Sequence, residues 1–137
     1  MKELNDCLIL TRKIEEVHTK LYELRVAALS PKSQVITGMP HGSGGDNAIE
    51  RYLVKCEKLE KRKEKLEQAR SELWNTVLEK AKKANVSEQN MFLLELRFIE
   101  GSSWKHCAVV MNKKYGKWNI NKVFRVYGKT KYILQKV

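Results

Sequence analysis

Most of the helix-breaking residues of this chain lie in one short segment, and this distribution limits the possible folds more than any other feature of the sequence. Both prolines and four of the seven glycines lie between residues 31 and 45 of the 137-residue sequence. Proline and glycine are the least favourable residues in a helix interior, so their scarcity elsewhere permits long helices. The sequence therefore predicts an all-α fold with a Gly-rich joint at residues 30–46.

Two apolar stripes flank this joint. The spacing of three and four residues predicts one helix over residues 3–29 and a second, weaker one from an N-cap at Asp46 to about Ala84, where Lys63 and Arg70 interrupt the stripe. Such a stripe must be buried against a partner. That partner is either the other helix, in an antiparallel hairpin, or a second copy of the chain. Residues 1–84 are thus predicted to form a helical hairpin or coiled coil. The first stripe contains Cys7, Leu10, Ile14, Val17, Leu21, Leu24 and Ala28.

Residues 85–137 predict a second domain of three short helices. Serine and asparagine are favoured N-caps, and glycine is favoured just beyond a helix C-terminus. The turn between the last two helices is the basic segment KKYGKW. In chain order the boundaries are an N-cap at Ser87, an end at Gly101, a cap at Ser102 or Ser103, a helix from Trp104 to about Asn112, a cap at Asn119, and a helix from Ile120 towards Gln135.

This succession of helices describes a helix-turn-helix, whose last helix enters the major groove of DNA. Asn121, Lys122 and Arg125, near the start of that helix, are predicted to read bases, because Asn and Arg can pair bidentately with adenine or guanine. Phosphate contacts, which supply affinity rather than sequence choice, are predicted for Ser103, Lys105, Lys113, Lys114, Lys117, Lys129 and Lys131.

The charge distribution favours the same interpretation. Of the net charge of +11, residues 1–84 contribute 17 basic and 13 acidic side chains, whereas residues 85–137 contribute ten and three. After Glu100 there are nine basic residues and no acidic one. A segment of one sign attracts a polyanion, which indicates double-stranded DNA as the partner.

The C-terminal sequence resembles a family of transcriptional regulators from phages and prophages of Gram-positive bacteria, the ArpU and RinA type. These proteins are similar to the promoter-reading fourth region of sigma factors. The matching segments are LLELRFIEGSSWKHCAVVMN and WNINKVFRVYGKTKYIL. Asn119 stands where the family usually has serine, Tyr127 where it often has histidine, and KKYGK resembles an insertion in the turn. Family positions are occupied by Arg97, Gly101, Ser103, Trp104, Ala108, Val123, Arg125, Gly128 and Lys129.

The resemblance implies a regulator of phage or prophage genes that acts in the bacterial cytoplasm. It makes host RNA polymerase and a second copy of the chain candidate partners. Two other functions stay open on the sequence. One is a DNA-packaging adaptor of the small-terminase kind, and the other is an interaction scaffold whose helical hairpin is the working surface.

Enzymatic and metal-binding functions are not expected. His18, His41 and His106 have no second ligand at metal spacing. Cys107 and His106 are adjacent on a predicted helix, where neighbouring side chains point about 100° apart, so they do not form a nucleophile and base. The sequence therefore predicts no catalytic residue, no metal site and no cofactor.

The sequence also predicts a protein that stays in the cytoplasm. No apolar run approaches the length of a membrane span. The N-terminal residues include Glu3 and Asp6 and do not resemble a signal peptide. The three cysteines are widely spaced and indicate reduced thiols.

Overall fold

The computed structural model describes residues 1–29 and 42–137, with side chains for all of these except 42–47. The described residues form five α-helices and no β-strand. The predicted all-α fold is confirmed. The helices are α1 (Lys2–Leu29), α2 (Gly42–Ala84), α3 (Glu88–Phe98), α4 (Trp104–Tyr115) and α5 (Ile120–Gln135).

The start of α2 differs from the prediction. The helix begins at Gly42, so Asp46 lies inside it and the predicted N-cap at Asp46 is wrong. Each residue added to an existing helix gains a backbone hydrogen bond, which offsets the low helix propensity of glycine. Of the predicted joint, residues 42–46 belong to α2, and residues 30–41 lie outside the described part of the chain.

The described helices fall into two compact units. The first contains Met1–Arg12 and Gln68–Val137, and the second contains Lys13–Glu67. This division differs from the predicted boundary between residues 84 and 85. The reason is that the beginning of α1 and the end of α2 share a core with the C-terminal helices.

α3 has apolar residues on most of its surface, and the first unit covers it from two sides. One core packs Leu94 and Phe98 against α1, α2 and α5, and the other packs Leu93 and Leu96 against α4 and α5. Each buried leucine stabilises the fold by about 1.5–3 kcal/mol, so α3 acts as the central helix of this unit. The further buried members are Met1, Leu4, Cys7, Val77, Ala81 and Leu134 in the first core, and Cys107, Ala108, Met111, Trp118 and Val123 in the second.

Polar contacts give the direction of the helix pair within the first unit. Glu3 of α1 pairs with Lys80 of α2, and Thr11 of α1 contacts Arg70 of α2. As the chain advances along α1, its partner residues move back along α2. These parts of α1 and α2 therefore run antiparallel, as the hairpin prediction requires.

The second unit contains a helix pair, formed by segments of α1 and α2. Ile14, Val17 and Leu21 of the predicted α1 stripe are buried in it. His18 and Glu67 line one groove between the two helices. On α2 the predicted stripe is only half-buried here, and Lys63 bonds along its own helix to Glu67 over 3.7 Å. The weaker stripe in the sequence thus corresponds to a less buried helix face.

Candidate nucleic-acid interface

α4 begins at a serine cap and buries one of its faces. The backbone of Ser103 is extended, and its Oγ accepts a hydrogen bond of 3.1 Å from the His106 backbone N–H. Ser103, rather than Ser102, is therefore the cap. Cys107, Ala108 and Met111 are buried one helical turn apart. This face attaches α4 to α3 and α5 and leaves the opposite face in solvent.

α4 ends three residues later than predicted. Lys113, Lys114 and Tyr115 are helical, so the prediction that they belong to the turn is wrong. The helix stops where Gly116 takes a φ of +76°, a conformation that glycine adopts at little cost. Lys117 follows with a φ of +60°. The turn between α4 and α5 is consequently only four residues long and carries one lysine.

Side-chain contacts fix this turn and the first residues of α5. The Asn112 Oδ1 accepts a 3.2 Å hydrogen bond from the Trp118 backbone N–H. Trp118 itself is buried in the second core. Asn119 is the predicted N-cap of α5, and its Oδ1 accepts a 2.8 Å hydrogen bond from the Lys122 backbone N–H. These contacts therefore hold the turn and the first residues of α5 against α4 and the second core.

α5 has one buried face and one exposed face. Val123, Thr130 and Leu134 are buried, and they lie close to one direction around the helix. Successive residues of a helix are about 100° apart around its axis. Four residues of α5 therefore lie on the side opposite to the three buried ones. We call these the outward face of α5: Asn121, Arg125, Gly128 and Tyr132, all exposed.

An aromatic cluster holds α5 against the start of α4. The Trp104 ring centroid lies 4.7 Å from that of Tyr127, 5.6 Å from that of Phe124 and 6.3 Å from that of Phe98. The Arg97 guanidinium lies 4.7 Å from the Trp104 ring centroid, and its Nη1 donates to the Ser102 carbonyl. Aromatic pairs at these distances add stabilisation beyond their buried area. Trp104 thus links α3, α4 and α5.

The three predicted base-reading residues have different surroundings. Asn121 and Arg125 are exposed and lie one helical turn apart on the outward face of α5. Lys122 is half-buried, and its Nζ lies 4.4 Å from the Trp118 ring centroid. Asn121 and Arg125 therefore share a surface, whereas the Lys122 ammonium stacks on the neighbouring indole.

The predicted phosphate-contacting residues form three groups along the surface. Two of these residues lie at the start of α4, three at its end and in the turn, and two in the second half of α5. The Lys114 Nζ lies 3.9 Å from the Phe92 ring centroid, and the half-buried Lys131 lies 5.5 Å from that of Tyr127. The remaining five are exposed without a cation–π contact: Ser103, Lys105, Lys113, Lys117 and Lys129.

Sequence reasoning did not assign a binding role to three residues of this surface. Gly128 and Tyr132 complete the outward face, and Phe124 lies one turn before Gly128. The side chains of Phe124 and Tyr132 are 47% and 58% exposed. A helical projection that starts from Asn121 would have found all three, because it needs only the register of α5.

The thiols of the first unit are poor nucleophiles. Burial raises the pKa of Cys7 to about 11 and also raises the pKa of Cys107. A thiol reacts as its thiolate, so both groups are largely unreactive near neutral pH. Within residues 1–29 and 48–137, no group of three His, Cys, Asp or Glu side chains is arranged to hold a metal ion. None of the helices described is both long enough and apolar enough to cross a membrane.

No protein-family model, curated protein or solved structure matches the chain.

Proposed function

We propose that this chain is a sequence-specific DNA-binding protein that regulates transcription, with α4, the turn and α5 as its helix-turn-helix. One observation carries the proposal. The outward face of α5 presents Asn121, Arg125 and Tyr132 within a segment that has nine basic and no acidic residues after Glu100. This combination suits a helix that lies in the major groove between two phosphate backbones.

Asn121 and Arg125 are the proposed base-reading residues with the most suitable geometry. They are four residues apart, so they are separated by about 6 Å along the helix axis. That distance corresponds to about two base-pair steps. The Asn121 amide can pair with adenine and the Arg125 guanidinium with guanine. Lys122, which is the third proposed reader, would have to leave the Trp118 ring to reach a base.

The lysines beside α5 are proposed to contact the phosphates. Lys113 and Lys117 flank the end of α4, and Lys129 lies at the edge of the outward face. Ser103 and Lys105 lie at the N-terminus of α4, where backbone N–H groups and the helix dipole favour an anion. Each phosphate contact releases counterions, so affinity should fall steeply as salt rises. Lys114 and Lys131 complete the proposed set.

The resemblance to phage and prophage regulators supplies the biological part of the proposal. It supports a role in bacterial cytoplasm on phage or prophage promoters, with host RNA polymerase as a candidate partner. The helix-turn-helix geometry supports DNA binding without that resemblance. The two parts of the proposal are therefore testable separately.

The test is a selection of bound sequences from a duplex library with a randomised centre, followed by titration of the selected duplex at low and high salt. We expect the full chain to enrich one motif and to bind it more weakly at high salt. Arg125→Ala should weaken this binding about tenfold or more and relax the preference at one base pair. Arg62→Ala is the matched control, because it removes one positive charge from an exposed position of α2.

Two outcomes would overturn the proposal. One is a chain that binds no duplex at low salt. The other is a chain for which Arg125→Ala and Arg62→Ala behave alike on the selected duplex. An RNA of the same sequence that binds more tightly than the DNA would identify RNA as the ligand instead.

The second unit favours an additional function as an interaction surface. Tyr22, Leu29, Ile49 and Leu53 are each more than half exposed, although they are large and apolar. Where such side chains form a contiguous patch, they often mark a contact with another chain. The mass of the full chain in solution distinguishes a transcription regulator from a DNA-packaging adaptor. A monomer or dimer fits a regulator, whereas a ring of many subunits fits a DNA-packaging adaptor of the small-terminase kind.

A further inference from the structure

Gly128 occupies the interior of α5, at a position where nothing in the described chain requires a glycine. It is the ninth of the sixteen residues of the helix. The described glycines with positive φ are Gly101 and Gly116, so Gly128 has a backbone conformation that any residue can adopt. A Cβ added to it would meet no atom within 4 Å. Neither backbone geometry nor packing explains this residue.

Glycine is nonetheless unfavourable here. Among the residues found in helix interiors, only proline destabilises a helix more. An alanine would fit the available space and would favour the helix. The chain therefore gives up some helix stability at Gly128 and gains no internal contact in return.

The neighbours of Gly128 on the surface of α5 have long side chains, and one of them, Phe124, also packs against the Trp104 ring. Phe124 and Tyr132 lie one turn before and one turn after it, and both are about half exposed. Arg125 lies three residues before it, at the other edge of the same face. Gly128 thus forms a notch in the outward face. A ligand that lies between the neighbouring side chains can approach the helix backbone there.

The dimensions of DNA indicate how the missing side chain at Gly128 could assist binding. A helix with its side chains is about 10–12 Å across, and the major groove is about 12 Å wide. A helix that fits so closely can lie deeper in the groove where it has no side chain. The absence of acidic residues after Glu100 favours DNA over other partners at this face.

We propose that Gly128 is the point of closest approach between α5 and the bases of its DNA site. The missing side chain lets α5 lie deep enough for Asn121 and Arg125 to reach the base edges. This inference rests on the proposed function and adds to it the depth at which the helix lies.

The test uses Gly128→Ala and Gly128→Leu in the full chain, with the melting temperature and the affinity for the selected duplex both measured. We expect Gly128→Ala to raise the melting temperature by about 3–5 °C, because alanine favours the helix. The same variant should bind the duplex about tenfold more weakly, and Gly128→Leu more weakly still. Ser71→Ala is the matched control: it improves helix propensity on an exposed position of α2 and should leave DNA affinity unchanged.

The outcomes separate this inference from the proposed function. If both Gly128 variants bind the duplex as tightly as the parent chain while Arg125→Ala binds weakly, the inference is wrong and the proposed function stands. If Gly128→Ala binds weakly but also melts at a lower temperature, the glycine serves the fold and the inference is again wrong. A parent chain that binds no duplex overturns both.

Discussion

Arg70 of α2 donates a 3.2 Å hydrogen bond to the Thr11 Oγ1 of α1, and the same Nη1 donates one of 3.0 Å to the Ile99 carbonyl just beyond α3. The buried Thr11 hydroxyl in turn donates to the Phe98 carbonyl over 2.7 Å. The last carbonyls of a helix have no partner within the helix, and a positive charge near them is favourable. Thr11 and Arg70 therefore cap α3 from two other helices.

Replacing Arg70 should destabilise the first unit markedly. Arg70→Met keeps much of the aliphatic stem but removes both hydrogen bonds and leaves the Ile99 carbonyl without this donor. Hydrogen bonds to charged groups contribute about 1.5–3 kcal/mol each when they are shielded from water. Both bonds are only partly buried here, so we expect the free energy of unfolding to fall by about 2 kcal/mol in total. Urea denaturation of the full chain, followed by circular dichroism, measures this change.

Arg62→Met is the control for that prediction, because Arg62 is an exposed arginine of the same helix. It should change the free energy of unfolding by less than about 0.5 kcal/mol. Thr11→Val combined with Arg70→Met should cost less than the sum of the single variants, because the two residues share one network. Equal stabilities for Arg70→Met and Arg62→Met would mean that this network contributes nothing.

The same network illustrates what the sequence could and could not predict about the fold. The lengths of α1 and α5, and the caps at Ser87 and Asn119, follow from local patterns, and the structure confirms them. Arg70 interrupts an apolar stripe, and the sequence alone indicates only that the stripe is weaker at this position. Its partner Thr11 is 59 residues away, so no local pattern could connect them. The role of a polar residue in an apolar stripe can be assigned only when the residues of the facing helix are known.

A second polar contact between α1 and α2 makes stability depend on pH. The Lys80 Nζ lies 2.9 Å from the Glu3 Oε1, and both side chains are about three-quarters buried. The hydrogen bond from Lys80 lowers the pKa of Glu3 from 4.5. A carboxyl whose pKa is lower in the folded state stabilises the fold above its unfolded pKa, and this contribution is lost as the pH falls through the folded pKa. Lys80→Met should therefore reduce stability at pH 7, and the difference from the parent chain should shrink below pH 4.5.

The matched control is Lys61→Met, which removes an exposed pair in which the Lys61 Nζ lies 3.1 Å from the Glu57 Oε1. Exposed pairs of this spacing contribute less than about 0.5 kcal/mol. Denaturation at pH 7 and at pH 3 measures the free energy of unfolding of the parent chain and of both variants. A Lys80→Met deficit that stays the same at both pH values would show that the ion pair with Glu3 is not its cause.

The candidate interface was less predictable than the fold, for a physical reason. Asn121 and Arg125 could be chosen from helical spacing alone, and both are exposed as expected. Helical spacing also selects Lys122, and the basic turn selects Lys114, but the ammonium groups of both lie over the rings of Trp118 and Phe92. Whether a lysine extends into solvent or folds onto a ring depends on which aromatic residue the tertiary fold brings beside it. Residue type and spacing do not contain that information.

Ser103 allows the structural and the functional roles of one residue to be separated. Its Oγ caps α4, and it is also a proposed phosphate contact. Aspartate caps a helix as well as serine does, and its charge suits the helix N-terminus. Ser103→Asp should therefore keep the stability of the parent chain, whereas Ser103→Ala should lose about 1 kcal/mol. If a phosphate lies at this terminus, Ser103→Asp should weaken binding of the selected duplex at least about tenfold through like-charge repulsion.

Ser87→Asp provides the same change of charge at another cap. The Ser87 Oγ accepts a 3.2 Å hydrogen bond from the Asn90 backbone N–H at the start of α3, which carries none of the proposed DNA contacts. Ser87 carries no proposed DNA contact, and 0.1 M salt screens charges beyond about 10 Å, so Ser87→Asp should weaken binding much less than Ser103→Asp does. Titration of both variants with the selected duplex at about 0.1 M salt shows whether the added charge acts only at the N-terminus of α4 or through the net charge of the protein. If the two aspartates weaken binding equally, the loss reflects net charge alone, and the N-terminus of α4 does not contact the DNA backbone.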